Sequence, residues 1–183
     1  MRNFRPMTYK PKAYLAGPAV FHPAAKALLD YLVEMCGQHD LEGVAPFEPQ
    51  ADDLKLPPAE LAAMIRHGNI ERIRECDVVI ACVSPFRGPG ACPGTTWEMG
   101  YAEALGKPVI AWSEDMRPYK ERVPHDRDED GRLFCRQHGM VVEDFGLVEN
   151  LMYAAQPAEV LSDLEAAFKR ARQLAAAPRP AAG

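Results

Sequence analysis

The sequence predicts an α/β protein of one domain, in which a mainly parallel, doubly wound sheet carries helices on both faces. Short apolar runs that are typical of buried strands alternate with longer segments whose apolar residues recur at helical spacing. This alternation indicates parallel strands joined by helical crossovers. A loop with three glycines and two prolines in residues 88–94 follows one of the apolar runs, at a place where open α/β sheets bind ligands.

The individual elements follow from the chain in order. We expect strands over residues 12–16, 43–46, 77–83, 109–112 and 140–145. We expect helices over residues 23–38, 59–75, from a cap at Thr95 or Thr96 to Leu105, and 157–175, with a short helix or turn over 149–153. Residues 113–138 are polar and have no clear period, which is long for a structureless connection, so we expect a lid or an interface there.

Length and composition favour a single domain. The chain has 183 residues, of which 48% are hydrophobic and 26% charged, the balance of an ordinary globular protein. We expect a flexible leader over residues 1–11, one folded domain over residues 12–175, and a disordered Ala- and Pro-rich tail over residues 176–183.

The charge and the cysteines exclude several classes of partner and location. The formal net charge is −5 and no basic run is present, so neither nucleic acid nor an anionic membrane is expected as a partner. No stretch approaches the ~18 consecutive apolar residues of a membrane span. Five cysteines, an odd number at scattered positions, are typical of free thiols in a reducing compartment, and we expect a cytoplasmic protein.

Two side chains are candidates for chemistry at the Gly-rich loop. Glu98 follows this loop near the start of a helix, where the helix dipole favours an ionised carboxylate, so Glu98 is a candidate nucleophile. The alternative is a solvated helix glutamate. Tyr14 lies near the carboxyl end of the first strand, which neighbours the third strand in common doubly wound orders, so it could meet Glu98. The alternative is a tyrosine of the core.

Metal-binding patterns are weak in this chain. Residues 126–131 copy the opening of a calcium loop, but its twelfth position is Gln137 instead of glutamate. The spacing of His125, Cys135 and His138 does not fit a zinc site. Cys92 has no histidine nearby in sequence to activate it, which favours an inert loop cysteine.

Several segments together resemble the nucleoside 2-deoxyribosyltransferase family, over about residues 12–153. They are Tyr14–Pro18 (YLAGP), Asn69, Pro93–Ala102 (PGTTWEMGYA) and Asn150–Met152 (NLM). The resemblance implies a five-stranded doubly wound sheet of the flavodoxin or Rossmann type. It also implies a deoxynucleoside and a free nucleobase as substrates, with no metal and no organic cofactor.

The same resemblance implies roles for individual residues. Glu98 would be the nucleophile and Tyr14 the residue that orients it. Gly17, Pro18, Gly94 and Thr95 would line the sugar site, with Asn69 and Cys92 on the side of the base. Asn150 and Met152 would reach into the site of a neighbouring subunit, which implies a homo-oligomer with shared sites.

The chain departs from the family on the side of the base. The family usually carries aspartate where this chain has Cys92, and aspartate or, in some members, asparagine where it has Asn69. The function that we expect is transfer of 2-deoxyribose between nucleobases through a covalent Glu98 intermediate, with retention. Two alternatives stay open. One is a hydrolase of 2′-deoxynucleosides or their 5′-monophosphates, for which Arg87 is a candidate phosphate ligand, and the other is a non-catalytic nucleotide-binding module.

Overall fold

The computed structural model describes residues 9–155 and 159–176. Its strands are β1 (Lys12–Ala16), β2 (Glu42–Val44), β3 (Val78–Cys82), β4 (Val109–Trp112), β5 (His125–Arg127), β6 (Leu133–Cys135) and β7 (Val160–Leu161). Its α-helices are α1 (Ala25–Gln38), α2 (Pro58–Glu75), α3 (Pro93–Ala104), α4 (Tyr119–Arg122), α5 (Leu151–Ala154) and α6 (Leu164–Ala176). Two short 3-10 helices span Pro18–Phe21 and Asp53–Lys55.

The main sheet is parallel and has the strand order β2-β1-β3-β4-β7. This confirms the predicted five-stranded doubly wound α/β fold. The chain passes from β1 to β2 on one side of β1, and then crosses back to β3 on the other side of β1. The direction in which strands are added therefore reverses between β1 and β3. Ligands of open α/β sheets bind at such a reversal, beyond the carboxyl ends of the strands.

Alternate residues of the central strands feed two separate cores. One core combines Ala13, Leu15, Val78 and Ile80 of the sheet with residues of α1 and α6, such as Cys36 and Phe168. The other core combines Tyr14, Ala16, Val79 and Ala81 with residues of α2 and α3, such as Ile73, Met99 and Ala102. Successive side chains of a strand point to opposite faces, so α3 packs on the face to which Tyr14 points.

The predicted fifth strand, residues 140–145, is wrong. In this segment Val141 makes an isolated bridge with Phe134, and the apolar side chains Met140, Val141 and Phe145 are exposed. Val142 alone of its apolar residues is buried, and it belongs to a small cluster separate from the cores of the main sheet. The fifth strand of the sheet is instead β7, which pairs with β4 inside the region predicted as a helix. The helix α6 begins at Leu164, after Asp163, whose carboxylate accepts a hydrogen bond from the backbone N–H of Ala166 at 2.7 Å.

The polar segment over residues 113–138 contains the short helix α4 and the antiparallel hairpin β5–β6. Val123, Leu133 and Val142 form a small core of their own beneath it. The hairpin escapes prediction because its strands are only three residues long, too short for a periodic signal, and because β5 is entirely polar.

The predicted leader and tail fall largely on residues outside the described ranges. Of the leader, residues 1–8 are outside, whereas Pro11 is buried and the Tyr9 hydroxyl donates a hydrogen bond to Asp77. Of the tail, residues 177–183 are outside, and Ala176 is the last residue of α6. Within residues 9–155 and 159–176, no helix is long and apolar enough to cross a membrane.

The close approach of β2 to α1 gives a test of the fold. A Cβ added at Gly43 would lie 2.9 Å from the Cα of Val33 and 3.0 Å from the Cβ of Cys36. We expect Gly43→Ala to lower the free energy of unfolding by about 1–3 kcal/mol, because the backbone of α1 must move. In the control Gly37→Ala, the added Cβ meets nothing within 4 Å, so stability should stay equal or rise by up to about 1 kcal/mol. Urea denaturation measures both, and equal effects would contradict the packing of β2 on α1.

Candidate active site

The structure brings Tyr14 and Glu98 together at the reversal of strand order. Tyr14 is the third residue of β1 and lies opposite Val79 of β3. The loop after β3 leads into α3, which carries Glu98 back over the same face of the sheet. The Tyr14 hydroxyl donates a hydrogen bond to Glu98 Oε1 at 2.6 Å. Tyr14 is therefore both a residue of the core, with 0% of its surface exposed, and the partner of a carboxylate.

The environment shifts the pKa of both groups upward. Burial raises the pKa of Glu98 above its ordinary value, and the hydrogen bond from Tyr14 opposes this rise without cancelling it. Burial also raises the pKa of Tyr14, and the negative charge of Glu98 raises it further. The phenol consequently keeps its proton and remains a donor, so it stabilises the ionised carboxylate.

The start of α3 differs from the prediction. The predicted cap at Thr95 or Thr96 is wrong, because the helix begins earlier, at Pro93. Cys92 precedes it and makes no side-chain cap. Pro at the first helical position needs no N–H partner and explains the earlier start. Glu98 therefore lies in the second turn, where the helix dipole acts less strongly than in the first.

The predicted sugar-side residues occupy two turns that flank this pair. Gly17 ends β1 so close to β3 that an added Cβ would lie 3.0 Å from the Cβ of Cys82. Pro18 then starts a 3-10 helix. Gly94 and Thr95 lie in the first turn of α3, where Thr95 is buried. A side chain at Gly17 would therefore press against Cys82 at the end of β3.

The two base-side residues lie on different elements. The Cys92 thiol is buried just ahead of α3, and its Sγ lies 3.8 Å from the position that a Cβ of Gly94 would take. Asn69 belongs to α2, and its Oδ1 accepts a hydrogen bond from the backbone N–H of Phe47 at 2.6 Å. This bond fixes the orientation of the Asn69 amide, so its NH2 group points away from the Phe47 N–H and is available as a donor.

Asn150 and Met152 lie against the beginning of α3 in the same chain. Asn150 caps α5 by accepting a hydrogen bond from the Met152 backbone N–H at 3.0 Å, and it donates to Glu143 at 2.9 Å. Both residues line an open cavity of about 460 Å³ together with Pro93 and Trp97. Met152 is 76% exposed.

Arg87, the candidate phosphate ligand of the alternative function, packs on aromatic rings. Its guanidinium lies 5.1 Å from the ring centre of Phe21 and 4.6 Å from that of Phe86. The two rings stack on each other with centroids 5.2 Å apart. The side chain is exposed, so these cation–π contacts define its position without removing its charge from solvent.

Sequence reasoning missed a buried polar group formed by Arg122, Glu149 and Tyr153. Arg122 Nη2 donates to Glu149 Oε1 at 2.6 Å, and the Tyr153 hydroxyl donates to Glu149 Oε2 at 2.8 Å. The signal available in the sequence was the position of Glu149 immediately before the Asn150–Met152 segment. Within the described residues, no group of three or more His, Cys, Asp and Glu side chains is placed to hold a metal ion.

The Tyr14–Glu98 bond predicts a titration. In Tyr14→Phe, we expect the pKa of Glu98 to rise further, because the hydrogen bond that lowers it is lost while the burial that raises it remains. The Glu98 carboxylate should then protonate at a higher pH than in the wild type. Carbon-13 NMR of labelled glutamate, assigned with Glu98→Gln, measures this pKa. An unchanged or lower pKa would contradict the role of Tyr14 as the donor.

Comparison with known proteins places the chain in a family. A solved structure, described as a 2-desoxiribosyltransferase from Leishmania mexicana, is 35% identical, covers 87% of this chain and 95% of that chain, and superposes with a TM-score of 0.68. An uncharacterised protein of Schizosaccharomyces pombe is 41% identical over 115 residues, 62% of this chain. That match spans about half of the curated relative, 54% of its length. The sequence model of the nucleoside 2-deoxyribosyltransferase family matches residues 13–152, so the chain belongs to this family of enzymes.

Proposed function

We propose that the protein transfers 2-deoxyribose from a 2′-deoxynucleoside to a free nucleobase through a covalent intermediate on Glu98. The observation that carries the proposal is the part-buried hydrogen bond between Tyr14 of β1 and Glu98 of α3, at the reversal of strand order between β1 and β3. A carboxylate held this way has one oxygen fixed by the phenol, and we assign the attack to the other, Oε2. Membership of the family supports the choice of substrates.

The reaction would proceed by two displacements at one carbon atom. In the first, a Glu98 oxygen forms a bond to C1′ as the N-glycosidic bond breaks, and the departing base keeps the electron pair and takes up a proton. In the second, a nitrogen of the acceptor base attacks C1′, loses its proton and releases the Glu98 carboxylate. Each displacement inverts C1′, so the product retains the configuration of the substrate.

The transition state resembles an oxocarbenium ion and explains a preference for deoxyribose. Positive charge develops on the sugar ring next to C2′, and an electron-withdrawing 2′-hydroxyl would destabilise it. The ionised Glu98 carboxylate would stabilise this charge at close range, and its partial burial strengthens the attraction. Tyr14 limits the cost of keeping that carboxylate charged before the substrate arrives.

We further propose that the protein works as a cytoplasmic homo-oligomer with sites shared between subunits. Met152 supports this, since a methionine with 76% of its surface exposed beside the α3 cavity offers apolar area for a second copy. Asn150 and Met152 would then cover the deoxyribose of a neighbouring site. Gly17, Pro18, Gly94 and Thr95 would line the sugar within one chain.

Product analysis separates this function from its alternatives. We expect a deoxynucleoside incubated with a second free base to give the exchanged nucleoside, and Glu98→Gln to lower the transfer rate by at least about 1,000-fold, because the bonding oxygen is lost. Free deoxyribose that forms at the same rate with and without acceptor would indicate a hydrolase. Binding without any product would indicate a nucleotide-binding module.

The melting temperature of Glu98→Gln shows whether this variant is folded. Because the pKa of Glu98 is raised in the folded protein, its ionised form destabilises the fold at any pH above that pKa. Glu98→Gln removes this cost and should melt at the same temperature as the wild type or higher. A 2-fluorinated deoxynucleoside should add one sugar mass to the wild-type peptide that contains Glu98 and none to the variant.

The departure at Cys92 predicts a gain of function. A carboxyl group at this position could deliver the proton that the leaving base needs, whereas a thiol is a weak hydrogen-bond donor. We expect Cys92→Asp to raise the transfer rate about tenfold or to extend it to further bases. Its pH–rate profile should gain a limb in which the rate falls as pH rises through the pKa of the new carboxyl group. Cys92→Asn is the matched control, because an amide donates hydrogen bonds but supplies no acid. Loss of activity on every base with both variants would contradict this role of position 92.

A further inference from the structure

The ion pair between Glu149 and Arg122 is buried almost completely. The two side chains are 0% and 3% exposed, and their nearest atoms are 2.6 Å apart. Burial raises the pKa of Glu149 even with the guanidinium beside it, which shows that desolvation of the carboxylate is not fully offset. Apolar residues of similar volume would often give equal or greater stability, so the pair is weakly explained by stability alone.

Glu149 joins three parts of the chain that are far apart in sequence. Its Oε1 accepts from Arg122, the last residue of α4, and its Oε2 accepts from Tyr153 of α5 at 2.8 Å. The backbone N–H of Ala91, in the Gly-rich loop ahead of α3, also lowers the pKa of Glu149. The loop packs closely here, because a Cβ at Gly90 would lie 3.7 Å from Glu149 Oε2 and 3.6 Å from the ring of Tyr119.

The groups that Glu149 holds are the immediate neighbours of active-site residues. Ala91 precedes Cys92, and α3 begins one residue later and carries Glu98 in its second turn. Asn150 follows Glu149 directly and lines the cavity beside Pro93. One carboxylate therefore fixes the Gly-rich loop relative to the Asn150 turn, while it touches neither Tyr14 nor Glu98 by any hydrogen bond described above.

We propose that Glu149, paired with Arg122, is a positioning residue that fixes the loop before α3, which leads to Glu98, and the Asn150 turn, which would cover a neighbouring site. This inference rests on the proposed transferase function. The polar segment over residues 113–138 then contributes to positioning the site, because its helix α4 supplies Arg122. Errors of about 1 Å in placing reacting groups can cost about 100-fold in rate, so loosening this contact should act on turnover.

The test compares two carboxylate-to-amide changes on partners of the same helix. Glu149→Gln keeps the shape of the side chain and removes the charge that Arg122 and Ala91 share. Asp144→Asn is the matched control, since Asp144 pairs with Lys120 of α4 at 2.7 Å in a partly exposed bridge. Both are measured below the melting temperature that circular dichroism gives for each variant, by the single-turnover release of base from a deoxynucleoside.

We expect Glu149→Gln to lower the single-turnover rate about 10- to 100-fold while the protein remains folded, and Asp144→Asn to leave it within about twofold of the wild type. Tyr153→Phe, which removes one hydrogen bond to Glu149 and keeps the charge, should lower the rate about 2- to 10-fold. The pKa of Glu98 in the NMR titration should stay at its wild-type value in Glu149→Gln, because the Tyr14 bond is intact.

A role in stability alone predicts a different pattern. The proposal would be overturned if Glu149→Gln folds and reacts at the wild-type rate, and differs from the wild type only in a lower melting temperature. If Glu149→Gln does not fold, Tyr153→Phe decides, and a wild-type rate in that variant would overturn it. A wild-type protein that shows neither transfer nor base release is the separate result that refutes the proposed function, whatever the variants do.

Discussion

The hydrogen bond between Tyr14 and Glu98 constrains most of the arrangement around it. A carboxylate withdrawn from water stays charged only where donors replace the lost hydration, and the phenol is such a donor. To reach Glu98, the side chain of Tyr14 must point to the face of the sheet on which α3 packs. A shift of β1 by one residue would turn Tyr14 to the other face, so the register of β1 against β3 and the placement of α3 depend on one another.

Burying a charged side chain costs free energy, and two carboxylates beside the loop before α3 carry this cost. Glu98 and Glu149 are two carboxylates whose pKa values burial raises, and they lie on either side of that loop. The first is held by a neutral phenol, which leaves it able to react. The second is held by a guanidinium, a phenol and a backbone N–H, which leave it no free role as an acid or a nucleophile. The difference in partners accounts for the different roles that we assign to the two carboxylates.

The sequence predicts best the elements that are buried on both faces. The strands β1, β3 and β4 read as continuous apolar runs, because a parallel sheet covered on both faces has no polar side, and their predicted bounds differ from the structure by at most one residue. The strand β7 is two residues long and gives no periodic signal, whereas residues 140–145 begin with an apolar run typical of a strand but lie outside the five-stranded sheet. Local pattern cannot distinguish these cases, because what decides them is which strand edge is free in the folded sheet.

In the candidate site, too, the sequence predicts some residues and misses others. Tyr14 and Glu98 could be predicted because each lies within a few residues of a turn that the sequence marks with glycine and proline. The pairing of Arg122 with Glu149 joins residues 27 apart in sequence that have no such turn to mark them. Asn69 and Cys92, where the chain departs from the family, can be interpreted once their contacts in the structure are known. The carbonyl of Asn69 is occupied by Phe47, which leaves an amide donor, and the thiol of Cys92 donates only weakly. Neither group supplies an acid, so under the proposed function the leaving base would have to draw its proton from elsewhere, and bases that depart readily without help would be favoured.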